Sequence, residues 1–88
     1  MKDESKQIAI KLKLFAVYQE VFGTSELALT LSPETTVGEV LESTIAQQPQ
    51  LEQWRDVTRF GVNLQFVSAD TTLKDGDEVV FIPPVSGG

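Results

Sequence analysis

The chain has 88 residues and a formal net charge of −6, and it contains neither cysteine nor histidine. This length predicts one domain with a small core, while the missing residue types exclude disulfides, cysteine zinc sites, thiolate nucleophiles and the commonest general base. The acidic balance argues against a nucleic-acid partner, and it either keeps a small domain in solution or steers it toward basic partner proteins.

The N-terminal part of the chain consists of a charged stretch followed by a stretch in which apolar residues recur at every second position. Residues 1–7, MKDESKQ, predict a flexible extension and do not resemble a signal peptide. Since no apolar run is long enough to span a bilayer, we expect a cytoplasmic protein with no membrane partner. In IAIKLKLF the apolar residues at 8, 10, 12 and 14 share one face, while Lys11, Lys13 and Phe15 share the other. This period is typical of a half-buried strand.

The middle of the chain predicts a hairpin followed by the main helix. AVYQEVFG indicates a short helical turn closed by Gly23, and ELALTL indicates a second strand that pairs with the first. In SPETTVGEVLESTIAQQP, Thr36 and Glu39 have the spacing of a capping box, and Pro49 ends the helix. The apolar stripe of this helix and the LEQW turn after it give the predicted core positions Val37, Val40, Leu41, Ile45, Leu51 and Trp54.

The last third of the chain predicts short strands joined by tight turns. RFGVNLQFV indicates two strands about a turn at Asn63, and LKDGDE indicates a turn at Asp75-Gly76. We expect Asp75, Asp77 and Glu78 to belong to this turn and the flank of the next strand, in preference to a direct chemical role. The final run, EVVFI, is apolar on both faces, as in the interior of a sheet or at a contact surface.

The order β-β-α-β-β-β predicts an α+β protein with a ubiquitin-like β-grasp over residues 8–82. We expect a mixed sheet of four to five strands packed on one main helix. The missing cysteine excludes a ferredoxin-type version of this fold.

Residues 83–88, PPVSGG, form a stretch without charge that we expect to be an extended tail. Pro83 and Pro84 fix φ and lack backbone donors, so the last strand cannot continue through them. At about 3.1–3.5 Å per residue the arm reaches roughly 20 Å. Gly87 and Gly88 have no Cβ, so the arm can pass a narrow channel and present the Gly88 carboxylate unobstructed.

A carboxylate is ionised at neutral pH and is a poor electrophile until it is activated. The chain has no phosphate-binding glycine loop with its lysine. We therefore expect no cofactor and no metal on this chain, and we expect ATP to be used by a separate activating enzyme.

The segment LKDGDEVVFIPPVSGG resembles the MoaD/ThiS ubiquitin-like family, and within it the MoaD type, the small subunit of molybdopterin synthase. The resemblance is close from Leu73 to Gly88 and looser through VNLQFV and KLKLFAVYQEVFG. It implies that an E1-like adenylyltransferase (MoeB type) adenylates Gly88 and that a sulfur donor protein converts it to a thiocarboxylate. The sulfur then passes to cyclic pyranopterin monophosphate in the large subunit (MoaE type).

The same resemblance implies which subunit supplies the active site and which supplies the tail. The chain has no complete active site alone, since the large subunit holds the substrate and supplies the catalytic side chains in a heterotetramer of two small and two large subunits. The tail residues inserted into that partner would be Pro83, Pro84, Val85, Ser86, Gly87 and Gly88.

Phe15, Phe66 and Ile82 are the candidate docking residues. By the alternation of a strand, Phe15 falls on the same face as Lys11 and Lys13, and Ile82 falls on the face opposite to Phe81. Phe66 falls at a partner-facing position of the resembled pattern. An exposed apolar patch beside the tail would be a docking surface, whereas the alternative is that each residue is core in a small domain.

Two other functions stay open on this sequence. One is a ThiS-type sulfur carrier for thiamin or another thiolation pathway. The other is a ubiquitin-like modifier whose Gly88 forms an isopeptide bond with a lysine.

Overall fold

The computed structural model describes residues 7–84, so the expectations for residues 1–6 and for 85–88 lie outside the described residues. The strands are β1 (Ile8–Leu14), β2 (Glu26–Leu31), β3 (Arg59–Val62), β4 (Gln65–Val67) and β5 (Glu78–Ile82). The helices are α1 (Val17–Phe22), α2 (Val37–Gln47) and a 3-10 helix (Pro49–Trp54). None of the helices in this part of the chain is long and apolar enough to cross a bilayer.

The strands form one mixed, five-stranded sheet in the order β2-β1-β5-β3-β4. β5 lies at the centre, parallel to β1 and antiparallel to β3, while β1–β2 and β3–β4 are antiparallel hairpins. β5 therefore lies in the interior of the sheet, one of the two settings that the apolar run EVVFI predicts.

The core lies between the inner face of the sheet and α2. Ile10, Leu12 and Leu14 of β1 are buried, as their alternation predicts, and the leucines of β2 pack against them at the half-buried edge of the sheet. The predicted helix stripe is confirmed, since Val37, Val40, Leu41 and Ile45 are all buried. Leu51 is buried as predicted, whereas Trp54 is only partly buried.

The boundaries of α2 follow from its sequence signals. The Glu39 N–H donates to Thr36 Oγ1 at 3.2 Å, and the Thr36 N–H donates to Glu39 Oε1 at 2.9 Å, so the predicted capping box is present. The helix ends at Gln47, just before Pro49. The shorter α1 ends at Gly23 in the left-handed conformation, with φ 72°.

The predicted turn at Asp75-Gly76 joins the start of β5 to β1. Gly76 has φ 88°, and the Asp77 N–H donates to the Lys74 carbonyl at 3.0 Å. The Asp75 carboxylate accepts the Ala9 N–H at 2.8 Å, and the Asp77 carboxylate accepts the Lys74 N–H at 2.8 Å. These two carboxylates therefore stabilise the turn and its contact with β1 by accepting backbone hydrogen bonds, in agreement with the predicted turn.

Candidate functional site

The site is built on the face of the sheet that α2 does not cover. Val79 and Phe81 of β5 are fully buried on the inner face, so Val80 and Ile82 point to the outer face. On β3 and β4, Gly61 and Phe66 are paired with each other, and Gly61 is also paired with Val80. Neighbours across a sheet share a face, so these residues belong to the outer face as well.

The structure brings the three candidate docking residues together. Phe15, just after β1, is 49% exposed, Phe66 on β4 is 75% exposed, and Ile82 at the end of β5 is half-buried. All three line a hollow of about 290 Å³. We call this surface the outer patch; its members are Phe15, Gly61, Leu64, Gln65, Phe66, Val80 and Ile82.

Sequence reasoning missed Leu64, Val80 and Gly61 as members of the outer patch. Val80 could have been found, since it has the parity of Ile82 on a strand that is apolar on both faces. Leu64, which is 95% exposed, carries a weaker signal: it is a bulky residue that directly follows the turn residue Asn63. Gly61 has no side chain and gives no signal of its own.

The outer face divides into an apolar part and a charged part. In the charged part, Lys13 Nζ lies 3.1 Å from a Glu78 carboxylate oxygen and 4.0 Å from one of Glu26, and Lys11 Nζ lies 3.6 Å from Glu26. The hydrogen bond to Glu78 raises the pKa of Lys13. Lys11 and Lys13 therefore form an ion-pair cluster with Glu26 and Glu78.

A second hollow, of about 680 Å³, connects the outer patch to the start of the tail. Phe15, Val80 and Ile82 line both hollows, and Pro83 and Pro84 line the second. Strand β5 ends at Ile82, as the two prolines predict. Pro83 is buried and Pro84 is exposed, so the chain emerges from the domain beside the patch.

The remaining predicted tail residues, Val85, Ser86, Gly87 and Gly88, lie outside the described residues. Their proposed chemical role rests on the sequence and on the family. What the structure supplies is the surface at the base of the tail.

The architecture and the patch define a ubiquitin-like β-grasp protein. The Haloferax volcanii HVO 2177 protein has this fold with a TM-score of 0.82 and 28% identity, covering 100% of this chain and 98% of that one. Small archaeal modifier protein 1 of Haloferax volcanii gives a TM-score of 0.75 at 26% identity, covering 89% of this chain and 99% of that one.

Residues 12–88 match the model of the ThiS family, and the chain belongs to that family. The molybdopterin synthase sulfur carrier subunit of Chlamydomonas reinhardtii is 37% identical over 81 residues, which cover 90% of this chain and 98% of the relative. The subunit of the same name from Escherichia coli is 37% identical over 84 residues, covering 90% of this chain and 99% of the relative.

Proposed function

We propose that this chain is a sulfur carrier for molybdopterin synthesis and that it carries sulfur as a thiocarboxylate on Gly88. The main support for this proposal is the outer patch. This exposed apolar surface continues, through the hollow beside Pro83 and Pro84, to the base of the tail that leads to Gly88. Exposed apolar patches of this kind mark interaction sites. Membership of the ThiS family and similarity to subunits named as molybdopterin synthase sulfur carriers support the choice of cargo.

The charging steps balance without an oxidant or a reductant. On an adenylyltransferase of the MoeB type, the Gly88 carboxylate attacks the α-phosphorus of ATP and pyrophosphate leaves. Sulfur at the sulfide level, from a sulfur donor protein, then attacks the acyl carbon, AMP leaves, and a proton is released. The contribution of this chain is a carboxylate that no neighbouring side chain crowds, because Gly87 and Gly88 have no Cβ.

In the transfer step, the outer patch docks on a large subunit of the MoaE type while residues 83–88 enter its active site. The thiocarboxylate sulfur forms a bond to a carbon of cyclic pyranopterin monophosphate as a carbon–oxygen bond at that carbon breaks. Water then cleaves the acyl–sulfur bond, which leaves a thiol on the pterin and restores the Gly88 carboxylate. Since one Gly88 carries one sulfur atom, a dithiolene with two sulfurs requires two charged carriers.

A second candidate function is protein modification. Small archaeal modifier protein 3 of Haloferax volcanii is 32% identical over 90 residues, covering 90% of this chain and 98% of the relative. In that case an activated Gly88 would form an amide with a lysine of a target protein. A third, a ThiS-type carrier for thiamin, would use the same charging steps with a different acceptor.

One reconstitution separates these functions. The chain is incubated with ATP, the adenylyltransferase and sulfide, and then with the large subunit and cyclic pyranopterin monophosphate. A molybdopterin carrier gives molybdopterin, and a variant lacking Gly88 gives none. Lysine conjugates in place of molybdopterin would support the modifier, and a charged carrier that yields no molybdopterin would support another thiolation pathway.

A further inference from the structure

Leu64 stands at a position where the backbone disfavours leucine. Asn63 and Leu64 connect β3 to β4 with φ 51° and 72°, so both central residues of this two-residue turn are left-handed. Such turns favour asparagine first and glycine second, because a left-handed residue with a Cβ is strained. Leu64 is also 95% exposed, so burial does not explain it either.

The tip of the hairpin is held in place by Asn63. Its N–H donates to the Glu78 carbonyl at 2.9 Å, and its side-chain amide donates to the Asp77 carboxylate at 2.9 Å. Its side-chain oxygen accepts the Glu78 N–H at 3.0 Å. These bonds tie the turn to the start of β5, and surroundings that over-determine a conformation are what allow a strained neighbour such as Leu64 to persist.

Gly61 is a second residue of the hairpin whose identity the fold does not explain, because nothing in its backbone requires glycine. It lies inside β3 and is not among the left-handed glycines of the described chain. A Cβ added there would meet the Gln65 carbonyl oxygen at 3.6 Å and the side chains of Val80 and Ile82 at 3.8 and 3.9 Å, which are ordinary contact distances. Glycine weakens the interior of a strand, so folding alone would favour a larger residue.

Both positions line the same hollow in the outer patch. Gly61 leaves its floor open, while Leu64 and Phe66, the strongly exposed apolar residues of the hairpin, stand around it. The hollow lies wholly within the described chain, and its lining includes no charged residue. Its shape and chemistry therefore suit an apolar group that projects from a partner surface.

We propose that the hollow of about 290 Å³ is a socket for one apolar side chain of the partner, with Gly61 as its floor and Leu64 as part of its wall. This inference rests on the proposed function, in which the partner is the large subunit. It deepens that function by assigning the partner a single projecting leucine, methionine or phenylalanine. It also assigns a binding role to two residues that the docking prediction did not contain.

The first test uses Leu64→Gly, for which stability and affinity move in opposite directions. Removing the side chain relieves the left-handed strain, so Tm rises, while the wall is lost and affinity for the large subunit falls at least about fivefold. Tm is measured by calorimetry and Kd by isothermal titration. The matched control is Glu34→Gly, because Glu34 has φ 73° and does not line the hollow. Its Tm rises as well, and its Kd is unchanged.

The second test fills the socket. Gly61→Ala makes the floor shallower and Gly61→Val occupies more of the hollow, so affinity falls progressively, by about tenfold or more for valine. The Tm of both variants equals or exceeds that of the natural chain. Two variants of different size keep the test decisive if valine perturbs the strand.

The outcomes separate the socket from the docking surface as a whole. If Phe66→Ala weakens the complex while Leu64→Gly and Gly61→Val leave Kd unchanged, the socket is wrong and the docking surface stands. If Phe66→Ala also leaves Kd unchanged, the outer patch is not the docking surface and the proposed function loses its main support. A fall in Tm for Leu64→Gly, or an equal loss of affinity in Glu34→Gly, overturns the socket.

Discussion

Strand β5 carries apolar side chains on both of its faces, and the two sets have different surroundings. Val79 and Phe81 are fully buried in the core, whereas Val80 and Ile82 line the hollow of the outer patch. Apolar residues of one strand thus complete the core on one face and are left half-buried on the other. Hydrophobicity alone therefore does not separate core residues from surface residues; the elements that pack on each face decide it.

The largest effect on stability is expected on the inner face. Phe81 is fully buried, with its ring centroid 5.4 Å from that of Tyr18 and 5.8 Å from that of Phe60. Phe81→Ala should lower the free energy of unfolding by about 3–5 kcal/mol, as for other buried phenylalanines. Urea denaturation followed by circular dichroism measures this loss, and Phe81→Leu gives a smaller value if the alanine variant does not fold. A loss below about 1 kcal/mol would remove the contrast between the two faces.

The counterpart on the outer face is Phe66→Ala. Because Phe66 is 75% exposed, its truncation should change the free energy of unfolding by only about 0.5 kcal/mol. The same change should weaken binding to the large subunit by more than about 1 kcal/mol, as truncation of interface aromatics does. Titration calorimetry with the large subunit measures the second quantity. A collapsed Tm with unchanged binding would place Phe66 in the core after all.

The smallest expected effect is on the pH dependence of the free energy of unfolding, and it reports only on the buried Tyr18. Burial raises the pKa of Tyr18 above its ordinary value of 10.0, against the opposing effect of its hydrogen bond with Thr58 at 2.5 Å. Since the folded-state pKa is the higher one, the stabilisation from neutral Tyr18 is complete below pH 10.0 and is lost as pH rises through the folded-state pKa.

The matched comparison for this titration is Tyr18→Phe, which shares every other titrating group with the natural chain. The natural chain should lose stability more steeply above about pH 10 than the variant does. Denaturant titrations at several pH values give both slopes. Parallel slopes would mean that Tyr18 does not ionise with a raised pKa in the folded chain.

Local signals in the sequence predicted most of the fold. The alternation in β1, the capping box of Thr36 and Glu39, and the left-handed Gly23 and Gly76 each act within a few residues, and each is confirmed. Trp54 was predicted as core, but it is only partly buried. Its burial depends on how the 3-10 helix packs on the rest of the domain, which no local pattern encodes.

The candidate site could be predicted only in part for the same reason. The parity of Phe15 and Ile82 gave their face of the sheet, but the pairing of Gly61 with Phe66 and Val80 depends on the order of the strands. The turn at Asn63 was predicted, yet the strain at Leu64 follows from a two-residue connection in which both residues are left-handed. Tertiary pairing thus supplied the floor and part of the wall of the hollow.

The proposed function depends on the Gly88 carboxylate as the group that carries sulfur. The most direct test is the intact mass of the chain after incubation with the adenylyltransferase, ATP and sulfide. We expect a rise equal to the difference between one sulfur and one oxygen, located by peptide mapping on the fragment that ends at Gly88 and absent when Gly88 is deleted. An unchanged mass, or sulfur on an internal residue, would contradict it.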